Sequence, residues 1–91
     1  MPRYLIERIF PDGLPLAPNA QGNQAAATVI GNNAQVGVTW VHSYVTPDRK
    51  QTFCVYDGPS PEAIRVAAQR NSLPVGRITE VSVLDPYFYQ P

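Results

Sequence analysis

The chain has 91 residues, the length of one small domain, and a hydrophobic fraction of 44% that can supply one core. Its seven basic and seven acidic residues cancel and form no runs, so it lacks the basic surface of a nucleic-acid-binding protein. A single cysteine excludes an internal disulfide, and no apolar stretch approaches the ~20 residues that span a bilayer. Together with an N-terminus that lacks the apolar segment of a signal peptide, these features predict a cytoplasmic protein that contacts neither nucleic acid nor membrane.

The first half of the chain predicts one strand and one helix. Tyr4–Phe10 is rich in β-forming residues and is followed by a Pro-Asp-Gly turn signal, so we expect a strand there. A proline-spaced connector at 14–18 leads into Asn19–Ala34, where apolar residues recur at helical spacing and asparagines can cap the start. Gly22 and Gly31 weaken this helix.

The second half predicts a hairpin, a helix and a last strand. The arms of the hairpin, Val38–Thr46 and Gln51–Asp57, are dense in Val, Thr, Tyr and Phe and flank a turn. The next helix has the clearest start in the chain, with Ser60 as N-cap and proline at the first helical position, and we expect it to stop at Asn71. Alternation in Arg77–Leu84 predicts the fourth strand.

This β-α-β-β-α-β order favours a ferredoxin-like α+β fold in which residues 1–91 form a single domain. Its antiparallel sheet has the order fourth, first, third, second strand, and both helices cover one face. The other face must be solvated or covered by a second subunit, and the small size of the chain favours a homodimer. We interpret the aromatic tail at 87–89 as a dimerisation or sheet-edge element.

Strand alternation divides the side chains of the predicted sheet into two sets, which a slip of one residue would exchange. The set expected beneath the helices is Ile6, Val41, Val45, Phe53, Val55, Val81 and Val83. The set expected on the helix-free face is Leu5, Glu7, Ile9, Trp40, His42, Tyr44, Cys54, Tyr56, Ile78 and Glu80. Because the second set is too apolar for exposure and too polar for a core, it predicts a pocket with convergent polar groups at a dimer surface.

Several segments resemble a family of short bacterial proteins that are often labelled nickel-binding and were formerly described as a domain of unknown function. The segments are Pro2–Arg8, Gly37–Val45, Cys54–Glu62, Leu73-Pro74 and Ile78–Val81. The resemblance implies a ferredoxin-like homodimer that binds divalent nickel for sequestration. Residues 14–34 depart from the family pattern in length and in their Asn/Gln-rich composition. Of the residues in the matching motifs, His42 is the natural metal-ligand type.

The candidate metal ligands are His42 and Glu7. A neutral imidazole suits nickel, but a metal site usually has at least three or four donors, so Glu7, Glu80, water or a second His42 must complete it. Glu7 and Glu80 are expected on adjacent strands and one face, where they form a hard-ion site, an acid–base pair, or ion pairs with Arg8, Arg77 or an arginine of a second subunit. Tyr44 and Tyr56 can hydrogen-bond a small-molecule ligand or pack in a dimer interface.

Two other functions compete with metal binding. One is a small cofactor-independent isomerase or monooxygenase, in which His42 is the general base and Tyr44 or Glu7 orients the substrate. The other is a structural or interaction module without a site. Cys54 has apolar neighbours on its strand, Phe53 and Val55, and no adjacent cation to activate it as a nucleophile, so we interpret it as a packing residue.

Overall fold

The computed structural model describes residues 1–15 and 20–86, and its elements follow the predicted order. They are β1 (Arg3–Ile9), α1 (Ala20–Gln35), β2 (Thr39–Val45), β3 (Gln51–Asp57), α2 (Pro61–Arg70) and β4 (Ile78–Val81). The strands form an antiparallel sheet with the order β2-β3-β1-β4, and both helices pack on one face of it. The predicted ferredoxin-like α+β fold is therefore confirmed.

The fourth strand is shorter than predicted, because it ends at Val81 and leaves Leu84 exposed. The aromatic tail at 87–89, part of the connector at 14–18, and Asn19, which with Asn23 was one of two possible caps of α1, lie outside the described residues. Within residues 1–15 and 20–86, no helix combines the length and apolarity needed to cross a membrane.

At the start of α2, Ser60 caps the helix as predicted and accepts a backbone N–H in its first turn.

Both helices end in the same backbone motif. At the end of α2, the N–H of Leu73 donates to the carbonyl of Ala68 (2.9 Å) across Ser72, which has a φ of 55°. Gly37, with a φ of 71°, has the equivalent place after α1. A serine thus stands in a left-handed conformation that usually selects glycine.

The core lies between the sheet and the helices. Its buried members are Tyr4, Ile6, Val38, Cys54, Tyr56, Ile64 and Ala67. The register places Ile6 opposite Cys54 and Tyr4 opposite Tyr56, so these four side chains share the helix-covered face. On β4, Ile78 is opposite Ile6 and packs against the same core.

A β-bulge reverses the alternation of β2. Trp40 pairs with Tyr56 and His42 pairs with Val55, so the register skips Val41. Trp40 faces the helices, where its Nε1–H donates to Ser43 Oγ (2.8 Å). Beyond the bulge, His42 lies on the opposite face of the sheet.

The predicted division of side chains between the two faces is therefore wrong for eight of its 17 positions. The prediction placed Ile6 on the same face as the odd-numbered residues of β3 and β4. The observed registers pair Ile6 with Cys54 and Ile78, so the predicted register was wrong by one residue. Residues predicted beneath the helices that lie on the helix-free face are Phe53, Val55 and Val81. Residues predicted on the helix-free face that lie on the helix side are Trp40, Cys54, Tyr56, Ile78 and Glu80.

An ion pair joins the start of β1 to the end of β3. Arg3 Nε donates to Asp57 Oδ1 (2.7 Å) and its Nη2 donates to Oδ2 (3.1 Å). The hydrogen bond from Arg3 lowers the pKa of the Asp57 carboxyl. Since the folded pKa is depressed, this stabilisation is present above the unfolded pKa, about 4, and is lost as the pH falls through the folded value.

We expect Asp57→Asn to lower the thermal midpoint at pH 7 and to approach the wild type as the pH falls below about 4. Thermal denaturation followed by circular dichroism from pH 7 to pH 2.5 measures this difference. Asp12→Asn, at an exposed turn, is the control and should track the wild type at each pH. A deficit of the Asp57 variant that is equal at both ends of the range would contradict the ion-pair explanation.

Candidate functional site

The five predicted ligand-binding residues lie on both sides of the sheet. His42, Tyr44 and Glu7 are on the helix-free face, whereas Tyr56 and Glu80 are on the helix side. The expected single patch is therefore wrong, and the two glutamates are not neighbours on one face. Sequence alternation misplaced Tyr56 and Glu80 for the reason given above, a register shifted by one residue.

The helix-free surface, here called the open face, has an apolar centre. The residues of this face include Arg3, Leu5, Glu7, Ile9, His42, Tyr44, Phe53, Val55, Asp57, Thr79 and Val81. Two of its large side chains are well exposed, Tyr44 at 62% and Ile9 at 54%, whereas Val55 at its centre is 9% exposed. An exposed apolar patch of this kind is typical of an interaction surface.

His42 and Tyr44 stand together on the open face at the edge of the sheet. Their rings make an edge-to-face contact, with centroids 5.2 Å apart and an interplanar angle of 82°. Both side chains are exposed. The imidazole is thus oriented by an aromatic neighbour and open to a ligand from solvent or from another chain.

Glu7 is on the open face but not beside His42. Glu7 and Tyr44 both pair with Phe53 from opposite sides, so their backbones are two strand spacings apart, about 10 Å. Among the residues that the structure describes, no three His, Cys, Asp or Glu side chains lie close enough together to hold a metal ion. The predicted metal ligands have the right chemistry for nickel but are too few in one chain.

The helix side of the sheet contains a cavity of about 430 Å³ beneath α1, here called the α1 cavity. Its floor is formed by the buried side chains of Arg8, Phe10, Thr52, Cys54 and Tyr56, and α1 contributes Ala25, Thr28, Val29 and Asn32. The spacing of the α1 residues places them on one stripe of the helix. Because these side chains are short, the helix does not fill the space above the sheet.

Arg8 is a buried cation in this floor. It is 2% exposed, its Nη1 donates to the carbonyl of Pro74 (2.7 Å), and its guanidinium carbon lies 5.7 Å from the centroid of the Tyr56 ring. Its Nε–H has no hydrogen-bond partner among residues 1–15 and 20–86. Burial raises the pKa of the Tyr56 hydroxyl, and the nearby charge of Arg8 opposes that rise.

From the sequence we expected Arg8 to form an ion pair with Glu7 or Glu80, and its burial in the floor of the α1 cavity was missed. A usable signal was present, since Arg8 is in phase with Tyr4 and Ile6 on the buried side of β1. Cys54 is buried as expected for packing, with its Sγ 3.4 Å from Thr52 Oγ1. His42 and the two glutamates are not among the described residues that line the α1 cavity.

Element order, sheet order and helix placement define a protein of the ferredoxin-like α+β class. A family model described as "Nickel responsive protein SCO4226-like" matches residues 4–81, so the chain belongs to the SCO4226-like family. The crystal structure of SCO4226 from Streptomyces coelicolor A3(2) matches with a TM-score of 0.72 and 18% sequence identity, covering 91% of this chain and 99% of that chain. At this identity the likeness shows the fold alone. A comparison with curated proteins gives no match.

Proposed function

We propose that this chain binds nickel as its cargo, at a site on the open face that two copies of the chain complete. The observation that carries the proposal is the exposed imidazole of His42, which stands beside an apolar sheet surface with no helix over it. The name of the family supports nickel as the metal. A neutral imidazole is a ligand type that suits nickel.

The number of donors supports a site shared by two chains. The described part of one chain offers no group of three metal donors, whereas a two-fold axis doubles every donor at the interface. His42 from both copies, with Glu7 from either, would give the mixed nitrogen and oxygen set that binds divalent transition metals. Each copy would also cover the half-buried side chains of Leu5 and Phe53 on the other.

In this proposal the residues around His42 have supporting roles. Tyr44 restricts the orientation of the imidazole through its edge contact, and such neighbours of a ligand affect metal affinity. The bound ion joins two chains and is held in place, which corresponds to sequestration and requires no reaction.

We expect the untagged wild-type chain to bind nickel and to form a dimer, and His42→Ala to lose both the heat of binding and the added stability that nickel gives. The loss of affinity should exceed the ~10–100-fold cost of removing an outer-shell partner, because a direct ligand is removed. Glu7→Gln should weaken binding less. Isothermal titration with nickel chloride, with light scattering for the mass, measures these effects.

Glu62→Gln is the matched control, since this carboxylate is exposed on α2 with 77% of its side chain accessible. It should bind nickel as the wild type does. Unchanged nickel affinity in His42→Ala would contradict the assigned ligand. A chain that stays monomeric while it binds nickel fully would contradict the shared site.

A further inference from the structure

The α1 cavity lies on the other side of the sheet from His42 and calls for a different ligand. We propose that it binds a small amphipathic carboxylic acid, whose carboxylate pairs with Arg8 and whose hydrocarbon part lies against the apolar walls. This inference goes beyond nickel binding and does not depend on it.

The first argument is the unpaired charge of Arg8. Arginine is almost never fully buried without a carboxylate or phosphate, because the guanidinium must otherwise give up its hydration. In the described ranges the ion pairs of Arg3 with Asp57 and of Arg65 with Glu62 do not involve Arg8, which contacts two neutral groups, the carbonyl of Pro74 and the side chain of Tyr56. Residues 16–19 and 87–91 contain no Asp or Glu, so they supply no acidic side chain either.

The second argument is the sign of the charge around the cavity. Its described lining includes two arginines, Arg8 and Arg70, and no acidic residue. The described lining of the cavity is therefore net positive, although the chain as a whole has zero net charge. Such a lining repels a metal ion and attracts an anion.

The third argument is the character of the walls, which selects the kind of anion. A volume of about 430 Å³ falls in the ~300–1,000 Å³ range of small-molecule sites. Most of the lining is apolar, including Phe10, Val29, Trp40, Val45 and Leu73. One buried guanidinium set against mostly apolar walls suits the single carboxylate of an otherwise apolar molecule.

Trp40 lines the α1 cavity and is the only tryptophan of the chain, so its fluorescence can be used to follow ligand binding in the cavity. We expect 8-bromooctanoate, whose heavy atom quenches indole fluorescence on contact, to quench Trp40 with saturation. Excess octanoate should reverse the quenching by competition. The uncharged 8-bromo-1-octanol should bind about tenfold more weakly or worse, since it has no charge to pair with Arg8.

Arg8→Met is expected to lower octanoate affinity at least about tenfold, while Arg65→Met, an exposed arginine of α2, leaves it unchanged. His42→Ala should also retain octanoate binding, which separates this site from the proposed nickel site. If Arg8→Met does not fold, the proposal is tested by comparing the affinities of 8-bromooctanoate and 8-bromo-1-octanol for the wild-type chain. Equal quenching by the two bromo compounds, no saturable quenching, or full affinity in a folded Arg8→Met would each overturn the proposal.

Discussion

Ile64→Ala is expected to lower the free energy of unfolding by about 2–5 kcal/mol, the range for truncating a buried aliphatic side chain. Ile64 is 1% exposed and is the largest residue that α2 contributes to the core with Tyr4 and Ile6. The total free energy of unfolding of a small domain is about 5–15 kcal/mol, so the variant should lose a large part of its stability. Urea denaturation followed by Trp40 fluorescence and circular dichroism measures the change.

Val66→Ala, two residues further along α2, is the matched control. Val66 is 39% exposed and lies outside the core cluster, so its truncation should cost well under about 1 kcal/mol. A similar loss for both variants, or a loss below about 1 kcal/mol for Ile64→Ala, would mean that α2 buries a different face.

Gly76→Ala is expected to destabilise the fold by about 1–3 kcal/mol because the added methyl group has no room. The Cβ atom would lie 2.8 Å from the backbone oxygen of Glu7, which already accepts the N–H of Gly76 at 2.8 Å. The neighbouring bond from Glu7 N–H to the carbonyl of Arg77 (2.9 Å) would be disturbed as well. Equilibrium denaturation in urea gives the loss.

Gly31→Ala is the matched control: the same substitution is made at an open position, where we expect a change of opposite sign in stability. Gly31 lies inside α1 and is exposed, with nothing within 4 Å of its Cβ position. Alanine should therefore stabilise the chain by about 0.5–1 kcal/mol through helix propensity. Effects of equal sign at the two glycines would refute the close approach at Gly76.

The element order and the bounds of several elements could be predicted because they depend on local signals. Ser60 and the following proline specify the start of α2, and β3 has the predicted range Gln51–Asp57. The resemblance in the hairpin and the first strand identified the family, as the match over residues 4–81 confirms. These signals act within a few residues of the chain.

The faces of the sheet could not be predicted from the same signals, because they depend on pairing between distant strands. Ile6 is in phase with Cys54 only through a register across 48 residues of sequence separation, and the skipped Val41 leaves no mark in the alternation. The α1 cavity likewise depends on how far α1 stands from the sheet. The separation of Glu7 from Glu80 was therefore not visible as a pattern, whereas the burial of Arg8 had a signal in its phase with Tyr4 and Ile6.

The bulge at Val41 also determines how this strand must be aligned with related chains. A relative with a regular second strand has one residue fewer there, so its alignment needs a gap opposite Val41. A gap placed two residues later would match His42 with a residue of the wrong side of the sheet. Substitution patterns taken from such an alignment would mix two unrelated selective pressures, one on side chains packed under α1 and one on side chains exposed on the open face.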